Sequence, residues 1–321
     1  MNILITSAGQ RVSLVRAFQT EIKRKFQFSK VYTVDMNPKL APACIISDGY
    51  KKVDRVSNIN YIEDLIEICN EWQIKIVVPT IDTELLILSQ NKERFNKLGI
   101  KIIVSDEKFV TICRDKRLTN LFLIDKKIDI PKQYNKSNLE YPLFIKPYDG
   151  SLSKDIFLIN KEEELTEFHL QNNKLMFMEY IDTSLYDEFT IDTYYDRKSE
   201  LKCVVPRKRI AVRSGEISKG LTCNNFLVDY VINKLSVING AIGCLTIQVF
   251  FNEKTQRVVG IEINPRFGGG YPLSYLAGAN FPKWIIEEYL LEKNVSYYDK
   301  WESNLLMLRY DDEVLVHNYE K

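Results

Sequence analysis

Histidine is almost missing from this sequence, and its scarcity excludes several kinds of active site. The 321 residues contain two histidines, His169 in an acidic run and His317 near the C-terminus. Catalytic triads use histidine as their base, and many zinc sites use it as a ligand. We therefore expect neither a histidine-dependent triad nor a histidine-ligated zinc.

Cysteine pairs are also lacking. The six cysteines stand far apart, without a CxxC pair, and most of them lie in apolar segments. Such cysteines are typical of buried free thiols in a reducing compartment. Disulfide and metal-binding roles are not expected for them.

The sequence has neither a charge excess nor a long hydrophobic run. Lys plus Arg number 44 against 43 for Asp plus Glu, so no global field attracts nucleic acid or an anionic membrane. The start, MNILITSAG, lacks the basic and long apolar regions of a signal peptide. We expect a cytoplasmic protein of about two domains that acts on small molecules, without nucleic-acid or membrane partners.

Strand and helix patterns alternate over the first third of the chain. Short apolar runs at 2–6, 30–34, 74–79 and 100–104 alternate with amphipathic segments, an order typical of a parallel α/β sheet. Asp35 ends the second run, where a dinucleotide-binding fold contacts ribose. The first turn lacks GxGxxG, so an architectural or substrate-side role is favoured for this part.

Some later segments carry less information. The acidic run 161–170 predicts one helix, and Ser105 is predicted to cap a short helix. Asp82 lies where a helix begins and is interpreted mainly as a favourable first-turn charge. The last twenty or so residues give no functional signal.

Two segments in the middle of the chain suit phosphate binding. Lys116 follows Asp115 at a helix start, where a lysine is unfavourable unless an anion is present. The loop PYDGSLSKD contains Gly150, Ser151 and Ser153, which allow backbone amides to approach oxygens. A solvated charged helix and a plain hairpin loop are the alternatives.

The stretch IEINPRF, residues 261–267, is the strongest candidate for a site. Glu262 and Asn264 share one face of a strand, and Gln248 lies on an apolar strand just upstream. One carboxylate and two amide oxygens suit a hard cation that holds phosphate groups. Arg266 follows on the turn and adds a guanidinium. A polar edge hairpin is the alternative, and the glycine turn 268–270 after it could hold an anion.

The ordered motifs of the chain resemble a known family. They are DK at 115–116, FIKP at 144–147, MEYI at 178–181, EFTID at 188–192 and EINPRF at 262–267. In this order they resemble the ATP-grasp ligases, and within them the ATP-grasp unit of the carbamoyl phosphate synthase large chain. The resemblance implies an α/β protein with an N-terminal parallel α/β (pre-ATP-grasp) domain at 1–105. A two-lobed ATP-grasp domain follows, with a small lobe at 106–182 and a large lobe at 183–321.

The resemblance also implies residue roles. Lys116 and Lys146 would hold the ATP phosphates under the loop of Gly150, Ser151 and Ser153. The cofactor would be ATP with Mg²⁺, for which Mn²⁺ could substitute. Adenine would be recognised by Glu179, Tyr180 and Ile181, and the ribose would be bound by Glu188. Magnesium would be ligated by Gln248, Glu262 and Asn264. Arg266 would contact the γ-phosphate or the acyl phosphate.

The chain also departs from the family. Its phosphate loop has a single glycine, which puts the usual loop contacts in doubt. One unit is present where carbamoyl phosphate synthesis uses two, so the chain looks more like a carboxylate–amine ligase of a small-molecule or polysaccharide pathway.

The resulting hypothesis is ATP-dependent activation of a carboxylate, followed by attack of an amine, or of a thiol, on an acyl phosphate. Arg207, Arg209 and Arg213 would face the acceptor side, unless they form a solvated strand face. The partners would be small-molecule carboxylates and amines, and a homodimer is compatible with the sequence. An ATP-binding sensor without ligase activity is the first alternative, and an oxidoreductase using the N-terminal domain is the second.

Overall fold

The computed structural model describes residues 1–150, 155–213 and 215–319. Its strands form three sheets that follow one another along the chain. No helix within these ranges is long and apolar enough to cross a membrane.

The first sheet is parallel and has the order β3-β2-β1-β4-β5. Its strands are β1 (Asn2–Thr6), β2 (Val31–Asp35), β3 (Tyr50–Lys52), β4 (Ile74–Val78) and β5 (Lys101–Ile102). Helices between successive strands provide the crossovers that parallel pairing requires. The predicted parallel α/β sheet is confirmed. Its strand order reverses between β1 and β4, where ligands bind in folds of this kind.

The second sheet has the order β6-β9-β7-β8, with antiparallel pairs. Its strands are β6 (Gln133–Tyr134), β7 (Leu143–Pro147), β8 (Phe157–Ile159) and β9 (Leu175–Glu179).

The third sheet is antiparallel, in the order β14-β13-β10-β11-β12-β15. Its strands are β10 (Asp187–Tyr195), β11 (Leu201–Arg213), β12 (Glu216–Thr222), β13 (Gly243–Asn252), β14 (Arg257–Asn264) and β15 (Leu306–Leu308). The apolar patterns around Gln248 and Glu262 therefore do form neighbouring strands. The prediction overlooked β12 and β15.

Helices flank the sheets and connect them. They are α1 (Val12–Lys25), α2 (Pro42–Ile45), α3 (Tyr61–Glu71), α4 (Asp82–Gln90), α5 (Lys92–Lys97), α6 (Glu107–Arg114), α7 (Lys116–Asp125), α8 (Glu167–Gln171), α9 (Phe226–Leu235), α10 (Tyr271–Leu276) and α11 (Phe281–Leu290), with 3₁₀ turns at Pro38–Leu40 and Glu162–Glu164.

Two helix predictions were wrong in detail. The acidic run 161–170 is not one helix, because the Thr166 amide donates to His169 Nδ1 over 3.1 Å in a capping box that starts α8 afresh. The cap of α6 is Asp106, whose side chain accepts from the Phe109 amide at 2.7 Å. The Ser105 hydroxyl instead accepts from the Ile242 amide at 3.1 Å.

One hydrophobic core joins the parallel sheet to the six-stranded sheet. Ile3 and Ile76 belong to the same buried cluster as Tyr194 and Phe267. The rings of Phe18 on α1 and Phe267 pack edge to face, with centroids 5.9 Å apart. Because Phe267 lies three residues after the end of β14, this packing holds the turn after β14 against the parallel sheet.

Candidate functional site

A cavity of about 680 Å³ lies where the three sheets meet. Its walls come from the turn after β4, from β7 and β9, and from the paired strands β13 and β14. The volume falls in the range of roughly 300–1,000 Å³ that is usual for small-molecule sites. Most of the residues singled out in the sequence line this one cavity.

The hairpin of β13 and β14 brings the candidate metal ligands together. Gln248 pairs directly with Glu262 across the two strands, so the two side chains share a face. Asn264, two positions further along β14, donates from Nδ2 to Glu262 Oε1 over 2.9 Å. The three side chains therefore form one oxygen-rich patch on the cavity wall.

This patch contains a single carboxylate. In the part of the chain that the structure describes, no group of three or more His, Cys, Asp or Glu side chains is arranged to hold a metal ion. A cation here would rely on Glu262, on amide oxygens, and on oxygens of a ligand or of water. Magnesium commonly binds in this way, through one or two carboxylates and substrate phosphates.

Two lysines stand beside Glu262. Lys116 Nζ lies 4.0 Å from Glu262 Oε2 and donates to the Gly150 carbonyl at 2.6 Å. Lys146 on β7 is 7% exposed, and burial lowers its pKa to about 8, with Glu262 opposing that shift and Lys116 adding to it. We call Lys116, Lys146, Gln248, Glu262 and Asn264 the lysine wall.

The predicted phosphate loop is only partly described. Gly150 lines the cavity, and a Cβ there would lie 2.5 Å from Pro147 Cγ, so the close turn requires glycine. Ser151 and Ser153 lie outside the described residues.

The segment after β9 also lines the cavity. Glu179, Tyr180 and Ile181 are all part of its surface. The Glu179 amide donates to the Lys132 carbonyl at 2.8 Å, and Glu179 Oε2 accepts from the Lys132 amide at 3.1 Å. These bonds fix the backbone of the segment and the direction of the carboxylate.

Glu188 on β10 lies between two cavity side chains. It accepts a hydrogen bond from Gln248 Nε2, and its Oε2 lies 3.1 Å from Arg209 Nε. Burial raises the pKa of Glu188, while the charge of Arg209 opposes that shift. The Gln248 amide nitrogen is thereby engaged, which leaves its oxygen as the donor for a cation.

The three arginines of β11 lie in different surroundings. Arg207 is 1% exposed and makes a forked pair with buried Asp192, at 2.7 and 2.9 Å. Arg209 lines the cavity, whereas Arg213 is exposed, pairs with Asp311 and is not among the cavity residues. Register shifts around Ala211 interrupt the regular alternation of β11 between Arg209 and Arg213.

Arg266 reaches the parallel sheet. Its Nη2 and Nε lie 2.7 and 3.2 Å from Asp82 Oδ2, at the start of α4. Arg11, in the turn after β1, lies nearby with Nη1 at 3.3 Å from Glu216 Oε1. We call Arg11, Asp82, Glu216 and Arg266 the arginine wall.

Family models match two parts of the chain. Residues 3–103 match the PylC-like N-terminal domain. Residues 171–311 match the family described as ATP-grasp in the biosynthetic pathway with Ter operon. The chain has the ATP-grasp fold.

Solved structures agree with this ATP-grasp assignment. The biotin carboxylase domain dimer of Hydrogenobacter thermophilus 2-oxoglutarate carboxylase, complexed with MgADP, ADP and bicarbonate, has a TM-score of 0.72 at 13% identity, over 95% of this chain and 73% of that one. The ADP complex of Staphylococcus aureus N5-carboxyaminoimidazole synthetase gives 0.68 at 15% identity, covering 96% and 79%. An L-amino acid ligase from Bacillus licheniformis gives 0.65 at 17%, covering 90% and 74%. No curated protein sequence matches significantly.

Sequence reasoning missed most of the arginine wall of this ATP-grasp chain. Arg11 and Asp82 follow β1 and β4, the adjacent strands at which the sheet order reverses. Both strands were predicted, but their adjacency was not, and it is the adjacency that brings the two turns together. Asp35 remains outside the cavity residues and accepts from the Gly9 amide at 3.0 Å, an architectural contact.

The glycine turn at 268–270 is explained by the side chains that lie against it. A Cβ at Gly269 would lie 2.1 Å from the Glu216 carboxyl carbon, and one at Gly270 would lie 2.1 Å from Arg207 Nη1. Arg207 Nη1 is buried and has no hydrogen-bond partner among the described residues. The turn is therefore glycine-rich because charged side chains lie directly against its backbone.

Proposed function

We propose that the protein is an ATP-dependent ligase, which activates a carboxylate as an acyl phosphate and then transfers the acyl group to an amine or thiol. One observation carries the proposal. In a chain with the ATP-grasp fold, one cavity is lined by the buried Lys146 together with Lys116 and Glu262. Two lysines beside one carboxylate leave an excess of positive charge, which suits a polyphosphate.

The nucleotide would bind along the lysine wall. Lys116 and Lys146 neutralise its phosphates, and the Gly150 turn lies beside them. Glu179, Tyr180 and Ile181 contact the adenine, with the carboxylate of Glu179 and the backbone at Ile181 as polar groups. Glu188 receives the ribose hydroxyls, because it faces the cavity next to Gln248.

Magnesium would be held by Glu262 with the amide oxygens of Gln248 and Asn264. The donor set consists of oxygens, which is what this hard cation prefers. When bound, the ion supplies charge neutralisation at the phosphate oxygens.

The chemistry then requires positioning more than a covalent nucleophile. A carboxylate oxygen of the substrate attacks the γ-phosphorus, the bond to the β–γ bridging oxygen breaks, and ADP leaves. The amine nitrogen attacks the carbonyl carbon, the C–O bond to phosphate breaks, and the nitrogen loses a proton. Arg266 would neutralise charge on the transferred group, and Arg209 would face the acceptor side.

The ligands and activities of the similar structures support the proposal. The biotin carboxylase domain contains MgADP and bicarbonate, a small carboxylate-like anion, and another neighbour is an L-amino acid ligase. For this chain we propose small-molecule carboxylate and amine partners, formation of a C–N bond, a cytoplasmic location and domain boundaries at 105 and 182. Arg213 drops out of the proposed acceptor set because it pairs with Asp311 outside the cavity.

The test is ADP release in the presence of ATP, Mg²⁺ and pooled carboxylates and amines, with product mass followed in parallel. Glu262→Gln should lower turnover on the order of 100-fold or more, because the anionic oxygen that would hold the cation is lost. The matched control is Glu253→Gln, an exposed residue in the turn of the same hairpin.

Two outcomes would contradict parts of this proposal. Near wild-type turnover of Glu262→Gln removes the metal assignment. Calorimetric ATP binding without ADP release across a broad panel instead favours a nucleotide sensor.

A further inference from the structure

The arginine wall differs from an ordinary anion site because each of its arginines is paired with a carboxylate. Arg266 pairs with Asp82, and Arg11 pairs with Glu216. Glu216 has a second cationic partner, Arg309, whose Nη1 lies 3.1 Å from Glu216 Oε2. A site built only for a carboxylate or phosphate needs no acidic groups, and Asp82 and Glu216 would repel such a ligand.

Binding capacity remains after these pairs are formed. Both contacts from Arg266 use Asp82 Oδ2, and Asp82 Oδ1 has no hydrogen-bond partner in the described ranges. Arg11 contacts Glu216 through Nη1, and its other guanidinium N–H groups have no hydrogen-bond partner in the same ranges. Both side chains line the cavity and are about one-fifth exposed, at 23% for Asp82 and 20% for Arg11.

The free acceptor and the free donors belong to one cluster. Burial lowers the pKa of Arg11, and the charges of Glu216, Arg266, Arg309 and Asp82 all act on it. A carboxylate oxygen and guanidinium N–H groups therefore line one cavity and lie close enough for their charges to interact. A ligand with one positive and one negative group would satisfy both.

We propose that the arginine wall binds an α-amino acid, whose carboxylate contacts Arg11 and whose ammonium contacts Asp82 Oδ1. This proposal rests on the ligase function and names the class of one substrate. A plain carboxylic acid would leave Asp82 without its partner, and a plain amine would leave Arg11 without its partner. An unmatched charge of this kind is what lets a polar site reject close analogues.

The experiment measures binding, so it does not depend on turnover. The protein is saturated with Mg²⁺ and a non-hydrolysable ATP analogue, and the proteinogenic L-amino acids are titrated calorimetrically. The best binder is then compared with its deaminated acid and with its carboxamide. We expect the intact amino acid to bind about 10-fold tighter or better than either analogue, as for one charge-assisted hydrogen bond.

Two variants separate direct contact from structural damage. Asp82→Asn should abolish the preference over the deaminated acid, and Arg11→Gln should abolish the preference over the carboxamide. A merely structural role would weaken all three ligands equally and leave the ratios unchanged. The controls are Asp229→Asn, an exposed first-turn aspartate of α9, and Arg16→Gln, an exposed residue of α1.

The possible failures are distinguishable. Failure of the ATP analogue to bind overturns the ligase proposal, and this inference with it. Binding of the analogue together with equal affinity for amino acid and deaminated acid, or with no amino acid bound, overturns only the α-amino-acid inference.

Discussion

The two walls of the cavity neutralise their charges in different ways. The lysine wall places Lys116 and Lys146 beside one carboxylate, Glu262, and keeps an excess of positive charge. The arginine wall pairs Arg266 with Asp82 and Arg11 with Glu216, so the charges of its four residues are balanced, with Arg309 as a further cation beside Glu216. An unbalanced wall suits a polyanion, and a balanced one suits a ligand that carries both signs.

The largest expected effect is a loss of stability when Arg207, which lies against the turn beside the arginine wall, is removed. Arg207→Ala leaves fully buried Asp192 without its guanidinium partner, and Gly270 lies directly against Arg207 Nη1. Removing one member of a buried ion pair destabilises a protein by roughly 3–5 kcal/mol. The free energy of unfolding from urea denaturation is the measurement.

Arg213→Ala is the control on the same strand. Its exposed pair with Asp311 should contribute little to stability. Equal destabilisation by the two variants would mean that the buried pair is not what supports this side of the cavity.

The next effect concerns the lysine wall. Lys146→Met should weaken ATP binding about 10- to 100-fold, because a charge-assisted hydrogen bond contributes roughly 1.5–3 kcal/mol. Stability at neutral pH should not fall, since burial already disfavours the charged amine. Calorimetry and denaturation of the same sample check both, with exposed Lys161→Met as control. A large loss of stability without loss of affinity would make Lys146 a structural residue.

A smaller effect should separate the two walls. Gly269→Ala introduces a methyl group 2.1 Å from the Glu216 carboxyl carbon, so the arginine wall must shift. Because Glu216 is a flexible side chain that is 42% exposed, it can move aside at little cost in stability, but the move disturbs its pair with Arg11. We therefore expect weaker amino-acid binding with unchanged ATP affinity. Gly268→Ala, where the nearest atom is Thr246 Oγ1 at 3.0 Å, should have a milder effect. Equal losses for ATP and the amino acid would show that the walls are not independent.

The smallest expected effect is the uptake of a proton when the nucleotide binds. Burial lowers the pKa of Lys146 to about 8, and bound phosphates would raise it again. Nucleotide binding should therefore take up a fraction of a proton near pH 8–9 and almost none near pH 6.5, where the amine is already charged. Calorimetry in two buffers of different ionisation enthalpy measures this uptake. Lys146→Met should abolish it, and an unchanged uptake in that variant would assign the proton elsewhere.

The pH dependence of stability follows from the same group. The unfolded chain holds its Lys146 proton up to the ordinary pKa of 10.5, above the value of about 8 in the folded protein. Between these values the unfolded state binds more protons. The contribution of Lys146 to the free energy of unfolding therefore rises with pH over this window.

The lysine wall could be predicted because strand periodicity encodes it. Glu262 and Asn264 are two residues apart on β14, and Gln248 lies on the strand next to it in the chain. Side chains at such spacing share a face in any regular hairpin. The ordered motifs then supplied Lys116 and Lys146.

The arginine wall could not be predicted in this way. It combines turns after β1 and β4 with β12 and the turn after β14, which are distant in sequence. Their proximity depends on strand order and on the core that joins two sheets, and neither has a local signal. The divergence of Arg213 from Arg207 likewise depends on a bulge that the strand pattern does not reveal.

The contact of Arg309 links the order of synthesis to the state of the site. Its Nη2 donates to the Gly269 carbonyl at 2.6 Å, and it follows β15, which pairs with β12. Arg309 is synthesised long after Arg11, yet both contact Glu216. In a nascent chain, Glu216 of the arginine wall therefore makes its full set of contacts only after the residue that follows β15 has been made. Synthesis itself would delay substrate binding at that wall until most of this sequence has been made.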